Sequence, residues 1–178
     1  MINPCSMKGN LIYLSVGSNL GDRLRNLKTG REFIRKKLGN LHAESRIYES
    51  AAWGYASKNL FFNCCMSAIT FLDPVPLLDE ILSIEQAMGR ERGRERGPEG
   101  YTDRVIDMDL LFYGDAILDL PRLKVPHPAM EKRRFVLAPL WEIAPELVHP
   151  VNKLTVTEML DRCKDPGVVR SIETDLSH

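Results

Sequence analysis

The sequence has no hydrophobic run that approaches the length of about 18 residues needed by a membrane-spanning helix. It also has no excess of either charge, because 24 lysines and arginines balance 24 aspartates and glutamates. No overall electrostatic field is therefore available to hold a nucleic acid or an anionic membrane. We expect neither partner, so any phosphate binding has to come from local clusters of basic residues.

Cysteine is scarce, and the four cysteines show neither the spacing of a disulfide framework nor that of a zinc site. Cys64 and Cys65 are adjacent, so on a strand they would point to opposite faces. No cleavable signal pattern precedes the first apolar segment. These features favour a reducing, cytoplasmic compartment.

A chain of 178 residues, 44% hydrophobic and 27% charged, has the composition of an ordinary folded protein. We expect a single domain over residues 1–178, with a core from about residue 8 to 150 and loose ends at 1–7 and 165–178. Hydrophobic periodicity predicts strands at 11–16, 41–48, 60–72 and 105–113, helices at 20–38 and 74–88, and shorter helices near 135–141 and 156–163. The order β-α-β-β-α-β is the ferredoxin-like α+β arrangement with an antiparallel sheet.

A pair of acidic residues stands on the last of these strands. Asp107 and Asp109 are two positions apart, so their carboxylates project from one face, about 7 Å apart at the Cα atoms. Such a pair suits Mg²⁺, which takes oxygen ligands from one or two carboxylates and the remainder from water and phosphates. The alternative is a strand whose outer face is simply solvated, and the spacing alone leaves both open.

A glycine- and arginine-rich segment precedes that strand, with the sequence GRERGRERG at 89–97 and Arg104 further on. Arginine forks bind phosphate oxygens in pairs. Interleaved acidic residues nearly cancel the positive charge, so a solvated, self-paired loop is the alternative. The position directly before the acidic strand favours phosphate binding, because phosphoryl transfer depends on positioning and charge neutralisation.

Other polar residues lie beside apolar surfaces. Glu85 falls on or beside the apolar stripe of the second helix, where it is either a binding residue or reaches water. Asn63 and Phe61 share the more polar face of the third strand. They suit a flat heterocycle, although a ladder asparagine and a core phenylalanine are commoner. His127 stands between two prolines and by itself indicates little.

Together these residues resemble the 6-hydroxymethyl-7,8-dihydropterin pyrophosphokinases of folate biosynthesis. The resemblance covers about residues 11–150, and its most specific piece is RVIDMDLLFYG at 104–114, followed by VPHP at 125–128 and RRFVLAPL at 133–140. The shorter matches GSNL at 17–20, FN at 62–63, Glu85 and GRER at 89–92 occur in the same order. A single Asp-x-Asp would be weak, whereas this ordered set is specific.

The resemblance implies transfer of pyrophosphate from ATP to the pterin alcohol by a ferredoxin-like α+β enzyme that uses two Mg²⁺ ions. It implies that Asp107 and Asp109 hold the metal and act with Arg90 and Arg104 in catalysis. The residues implied for ATP binding are Glu85, Arg92, Arg122, His127 and Arg133. The residues implied for pterin binding are Ser50, Trp53, Gly54, Phe61, Asn63, Tyr101 and Phe135.

The chain departs from the family pattern at several positions. Phe61 replaces a frequent tyrosine, alanines at 51–52 replace a proline pair, and Tyr101 takes the place of a tryptophan. The arginine segment is long, so Arg94 and Arg96 receive no role. The alternatives are a non-enzymatic ferredoxin-like binding module and another Mg²⁺-dependent phosphotransferase. We expect ATP and the pterin as partners, and a monomer or a weak homodimer.

Overall fold

The computed structural model describes residues 9–89 and 102–174. The strands are β1 (Asn10–Ser18), β2 (Asn40–Glu44), β3 (Tyr48–Ser50), β4 (Phe61–Thr70), β5 (Asp107–Tyr113), β6 (Leu118–Leu120), β7 (Leu123–Val125) and β8 (Val169–Ser171). The helices are α1 (Arg23–Phe33), α2 (Pro74–Ala87), α3 (Arg134–Ile143) and α4 (Val156–Arg162). The predicted α+β class is confirmed.

The main sheet is antiparallel, with the strand order β5-β1-β4-β3-β8, and β2 also pairs with β4. The strand predicted at 41–48 is therefore two strands that pair with different parts of β4. The interruption lies at Ser45, whose Oγ accepts a 3.0 Å hydrogen bond from the Cys65 N–H and donates a 2.7 Å bond to the Arg46 carbonyl. The Ser45 side chain thus replaces a backbone hydrogen bond to β4, so the pairing with β4 is interrupted between β2 and β3.

Helices α1 and α2 cover one face of the sheet. Alternate residues of β1 and β4, including Leu14 and Met66, pack there with Leu27 and Ile81 of the two helices. α1 begins later than predicted because the Asp22 side chain accepts a 3.0 Å hydrogen bond from Arg25 N–H, a capping contact. A short π-helical turn at Ile34–Leu38 completes the segment.

The turn into β2 depends on one glycine. Gly39 has φ +149°, a conformation that L side chains rarely adopt, and a Cβ there would lie 2.1 Å from the Ile69 carbonyl oxygen. The close approach lets β2 begin immediately beside β4. Gly39 therefore ends the helical segment, as the sequence predicts.

Helices α3 and α4 cover part of the opposite face. Leu137 and Leu140 of α3 and Met159 of α4 form a second core cluster with Cys65 and Phe112 of the sheet. α4 starts with a reciprocal capping box between Thr155 and Glu158. These helices leave another part of this face uncovered. The site described below lies there, next to the start of α3.

The C-terminal part of the chain differs from the loose end expected at 165–178. Val169–Ser171 form β8, which pairs with β3 and extends the sheet. Cys163, just before this segment, is buried in the second core cluster. Within the described ranges, Cys64, Cys65 and Cys163 are free thiols, and no helix is long and apolar enough to cross a membrane.

Candidate active site

An open cleft lies on the sheet face that α3 leaves uncovered. Ser15 and Gly17 of β1 form its floor. The cleft brings together many of the residues that the resemblance assigned to different roles. The predicted residues that line it are Ser50, Trp53, Phe61, Asn63, Arg104, Asp107, Asp109, Arg133 and Phe135.

The two carboxylates stand next to the small residues of the central strand. In the β1–β5 ladder, Asp107 lies opposite Gly17 and Asp109 lies opposite Ser15. Met108, between them, points to the other face and packs with α1 and α2. The strand alternation predicted from the sequence thus places both acids in the cleft, above a floor that no large side chain fills.

Each carboxylate has an arginine partner. Arg104 donates a hydrogen bond to Asp107 through Nη1, and Arg133 Nη1 lies 3.1 Å from Asp109 Oδ2. Burial acts to lower the pKa of Arg104, but the charges of Asp107, Glu85 and Asp109 outweigh it and the pKa is raised. The acidic pair is therefore surrounded by permanent positive charge.

His127 is the third cation-capable group near Asp109, with its Nε2 3.8 Å from Asp109 Oδ2. Burial lowers the pKa of His127, and the charge of Arg133 acts in the same direction. Its Nδ1 accepts a 3.2 Å hydrogen bond from the Ala129 N–H. The imidazole is thus held beside the acidic strand with Nε2 on the carboxylate side.

Glu85 supports the acidic strand from the opposite side of the sheet. Its side chain is 1% exposed, and its Oε1 accepts a 2.8 Å hydrogen bond from the Met108 N–H, between the two aspartates. The alternative that Glu85 reaches water is therefore wrong. Glu85 holds the β5 backbone in place at the point where it presents Asp107 and Asp109.

The two carboxylates fit a divalent cation that takes oxygen ligands. The Asp107 and Asp109 side chains remain 28% and 33% exposed, so their oxygens can reach a ligand in the cleft. Among the described residues, no cluster of three or more His, Cys, Asp or Glu side chains is arranged to hold a metal. A site with two carboxylates, completed by water and phosphate oxygens, is the coordination that Mg²⁺ accepts.

The other half of the cleft is aromatic with a buried amide at its base. Asn63 is 2% exposed, and its Nδ2 donates a 3.0 Å hydrogen bond to Ser50 Oγ. The Arg133 guanidinium lies 4.9 Å from the centroid of the Trp53 ring and 5.9 Å from that of Phe135. An amide beside planar side chains suits a flat, hydrogen-bonding ligand.

Gly17 makes room for this amide. Gly17 lies opposite Asn63 in the β1–β4 ladder, and a Cβ on Gly17 would lie 2.9 Å from Asn63 Oδ1. The missing side chain keeps the amide in position and leaves the floor of the cleft open. Gly17 therefore serves both the amide and the neighbouring Asp107.

Some predicted residues lie elsewhere. Gly54 follows Trp53 with φ +78° but does not line the cleft. Arg122 stands between β6 and β7, where it forms a 2.7 Å ion pair with Asp79 of α2. Like every role that the resemblance implies, including ATP binding by Glu85, which also does not line the cleft, these assignments remain predictions. Arg90, Arg92 and Tyr101, together with Arg94 and Arg96, lie outside the described residues.

The cleft also contains residues for which the sequence predicts no role. Tyr55 and Thr102 line it. Asp103 does not line the cleft but accepts a hydrogen bond from the Tyr55 hydroxyl. No sequence pattern marks these residues, because their segments are distant in the chain and meet only in the folded protein.

A family model described as 7,8-dihydro-6-hydroxymethylpterin-pyrophosphokinase matches residues 13–145. The 2-amino-4-hydroxy-6-hydroxymethyldihydropteridine pyrophosphokinase of Aquifex aeolicus is 38% identical over 147 residues, which cover 83% of this chain and 88% of that protein. The Porphyromonas gingivalis protein of the same name is 41% identical over 143 residues, covering 79% and 94%. These similarities extend over nearly the whole of both bacterial relatives.

A longer relative is the Folic acid synthesis protein FOL1 of Dictyostelium discoideum, 35% identical over 170 residues. This chain spans 25% of that protein's length. Among solved structures, Plasmodium falciparum HPPK-DHPS with pteroate superposes with a TM-score of 0.71 at 17% identity, covering 87% of this chain and 44% of that one. This structural similarity shows a shared fold.

Proposed function

The chain belongs to the 7,8-dihydro-6-hydroxymethylpterin-pyrophosphokinase family, and from this premise we propose that it transfers the pyrophosphoryl group of ATP to 6-hydroxymethyl-7,8-dihydropterin with the help of Mg²⁺. Family membership makes it an ATP-dependent pyrophosphokinase of folate biosynthesis. The particular substrates, the metal and the roles of the residues are parts of the proposal.

One observation carries the proposal: a single cleft contains both the acidic pair and the aromatic, amide-based pocket. Asp107 and Asp109 suit a metal-bound polyphosphate, whereas Asn63 and Trp53 suit a flat heterocycle. A two-substrate transfer needs these sites to be adjacent, since the reacting atoms have to approach to about 3–3.5 Å. A solvated acidic strand does not explain this adjacency.

In the proposed reaction the pterin hydroxymethyl oxygen attacks the β-phosphorus of ATP. A bond forms between that oxygen and the β-phosphorus, the bond from the β-phosphorus to the α,β-bridging oxygen breaks, and AMP leaves. The hydroxyl proton passes to solvent. The products are AMP and the pterin diphosphate, so atoms and charge balance without a further reactant.

The residues of the acidic half bind and orient the phosphates. Asp107 and Asp109 would hold Mg²⁺, and the chemistry that Mg²⁺ supplies when bound is neutralisation of the phosphate oxygens during transfer. Arg104 and Arg133, freed from their carboxylate partners, would donate hydrogen bonds to phosphate oxygens. Glu85 keeps β5 in register while these partners change.

The residues of the aromatic half bind the pterin. Asn63 would hydrogen-bond the edge of the ring, with its amide orientation fixed by Ser50. Trp53, Phe61 and Phe135 offer planar apolar surfaces for stacking. Together they would direct the hydroxymethyl group toward the acidic half.

The test is formation of AMP from ATP and Mg²⁺, with and without the pterin, by the intact protein. We expect AMP and pterin diphosphate in equal amounts and only when the pterin is present. Asp107→Asn should lower turnover by at least about a hundredfold, because the phosphate charge is no longer neutralised. Asp119→Asn, on an exposed hairpin strand that does not line the cleft, is the matched control.

Calorimetry adds a readout that is independent of turnover. Asp107→Asn should weaken Mg²⁺-dependent binding of a non-hydrolysable ATP analogue and leave pterin binding nearly unchanged. AMP formation without the pterin would contradict the proposed acceptor. Full turnover by Asp107→Asn would contradict the metal role.

A further inference from the structure

Asp103 accepts hydrogen bonds from the side chains of four residues. Its Oδ1 accepts from Asn19 Nδ2 at 2.7 Å, from the Tyr55 hydroxyl at 3.0 Å and from Ser57 Oγ at 2.7 Å. Its Oδ2 accepts from Asn59 Nδ2 at 2.7 Å. An ionised carboxylate can accept about four hydrogen bonds, so the four donors nearly saturate the hydrogen-bonding capacity of Asp103.

These bonds join three segments that are distant in the chain. Asn19 follows β1, Asp103 precedes β5, and the other donors lie at 55–59, in the connection from β3 to β4. The same connection contains Trp53, and the Tyr55 ring lines the cleft. One carboxylate therefore joins the end of β1 and the segment before β5 to the wall of the aromatic half.

Arg104, the residue after Asp103, is fixed by the same cluster. Its backbone N–H donates a 2.6 Å hydrogen bond to Asn19 Oδ1, and its carbonyl accepts bonds of 3.0 and 3.2 Å from the N–H groups of Asn19 and Leu20. Arg104 then reaches Asp107 with its guanidinium. The position of this arginine relative to the acidic pair is thus tied to the position of the 55–59 segment.

The cluster requires a carboxylate. All four partners act as donors to Asp103, whereas an asparagine there would offer one acceptor oxygen and one NH₂ group. The NH₂ group would face donors, so bonds would be lost or side chains would have to turn. The four donors therefore require the ionised carboxylate of aspartate. An asparagine of the same size does not satisfy them.

We propose that Asp103 is a positioning residue that holds the Trp53–Asn59 wall of the pterin pocket and the Arg104 backbone in one fixed arrangement. The role in transfer rests on the proposed function. Asp103 does not line the cleft, so it acts through Tyr55 and Trp53 on pterin binding and through Arg104 on the phosphates. The preformed wall reduces the ordering that pterin binding would otherwise require.

The first test uses the ligand-free protein and needs no activity. Trp53 and Trp141 are the two tryptophans, so Trp141→Phe leaves Trp53 as the sole tryptophan, which is excited selectively over the tyrosines. In this background Asp103→Asn should increase quenching of Trp53 by acrylamide, because the wall is released. Asp119→Asn, which removes an exposed carboxylate of the β6–β7 hairpin, should leave quenching unchanged.

The second test separates positioning from stability. Asp103→Asn should raise the KM for the pterin by about tenfold, the effect of losing roughly one charged hydrogen bond. The KM for ATP should change much less, because the Arg104 backbone keeps its hydrogen bonds to Asn19 and Leu20, none of which uses the Asp103 carboxylate. If Asp103 only stabilised the fold, Asp103→Asn would lower the midpoint of denaturation. The KM values for the pterin and for ATP would then change by similar factors.

Ser57→Ala provides a milder variant that removes one donor and does not line the cleft. It should raise the pterin KM in the same direction but less, and its effect should largely disappear in the Asp103→Asn background. Unchanged quenching and unchanged pterin KM in both variants would overturn the positioning role. An inactive wild-type protein would instead overturn the proposed function, while the quenching comparison would still decide whether Asp103 holds the wall.

Discussion

Arg133 Nη1 lies 3.1 Å from Asp109 Oδ2, and the same guanidinium lies 4.9 Å from the Trp53 ring centroid. One side chain therefore contacts both halves of the cleft. The Arg133 side chain is 9% exposed, so its charge is poorly screened by water. Its position couples the acidic pair to the aromatic pocket.

Replacement of Arg133 should affect both substrates. Arg133→Met leaves Asp109 without this cation and Trp53 without its planar neighbour, so we expect kcat/KM to fall by at least about tenfold for ATP and also to fall for the pterin. Arg133→Lys keeps the charge but loses the planar fork, and it should be intermediate. Steady-state kinetics with each substrate varied in turn measures this.

Arg162→Met is the matched control for that series. Arg162 is 65% exposed and its ion pair with Glu158 is 4.0 Å long, so its loss should leave both kinetic constants unchanged. Equal kinetics for Arg133→Met and Arg162→Met would show that the contact of Arg133 with the two halves has no role in turnover.

Glu85 should contribute to stability through the backbone of β5. Glu85→Leu leaves the buried Met108 N–H without its acceptor, which should lower the free energy of unfolding by about 1–3 kcal/mol. Glu85→Gln retains an acceptor oxygen and should cost less. Urea denaturation followed by circular dichroism gives both values.

Glu80→Leu, on the same helix, is the comparison for Glu85. Glu80 is 41% exposed and pairs with Lys37 at the surface, so the expected change is small. If Glu85→Leu were no more destabilising than Glu80→Leu, the Met108 hydrogen bond would not support the strand.

The absence of a side chain at Gly17 should be needed for pterin binding. In Gly17→Ala the new methyl group would lie 2.9 Å from Asn63 Oδ1, so it should displace the amide and weaken pterin binding. Binding of an ATP analogue should change much less. Fluorescence titration with the pterin and calorimetry with the nucleotide measure the two affinities.

Gly30→Ala tests whether any added methyl group has this effect. A Cβ at Gly30 would lie 2.9 Å from Met108 Cε, the flexible end of a side chain on the helical face of the sheet. The better helix propensity of alanine partly offsets that contact. Pterin affinity should therefore be retained in Gly30→Ala, and a loss equal to that of Gly17→Ala would refute the proposed contact with Asn63.

Local sequence patterns were sufficient to predict most helices and strands and the acidic half of the cleft. The alternation around Asp107 and Asp109 predicted their common face, since strand geometry is set by neighbouring residues. The role of Glu85 at Met108 depends on how α2 packs under β5, which no local pattern specifies. β8 pairs with β3 through three residues, too few for a periodic signal.

The Asp103 cluster could not be predicted for a related reason. Asn19 and the 55–59 segment contact Asp103 only in the folded sheet. Polar residues in loops follow no periodic pattern from which their hydrogen-bond partners could be predicted. The resemblance also did not single out Asp103, because the roles it implies are all direct contacts with substrates or metal. A cluster that positions such residues becomes visible only from three-dimensional contacts.

The same cluster gives a pH dependence of stability. Burial acts to raise the pKa of Asp103, but the hydrogen bonds from Ser57, Asn19, Asn59 and Tyr55 outweigh it, and the pKa is lowered. A carboxyl with a lowered folded-state pKa stabilises the protein above its unfolded pKa of about 3.9, and this contribution is lost as the pH falls through the folded-state value. The affected window therefore lies below about pH 4.

In that window the free energy of unfolding of the wild type should fall more steeply with decreasing pH than that of Asp103→Asn. Above about pH 5 the difference between the two should be constant, because Asp103 is then ionised in both folded and unfolded chains. Arg104, the adjacent cation, stays charged throughout, and the pKa of Tyr55 is raised to about 12, so neither titrates in this range. Urea denaturation at a series of pH values, with Asp119→Asn as the control, measures the slopes. Parallel curves for the wild type and Asp103→Asn would mean that the four hydrogen bonds do not favour the ionised acid, and the cluster would then lose the chemical reason for a carboxylate at position 103.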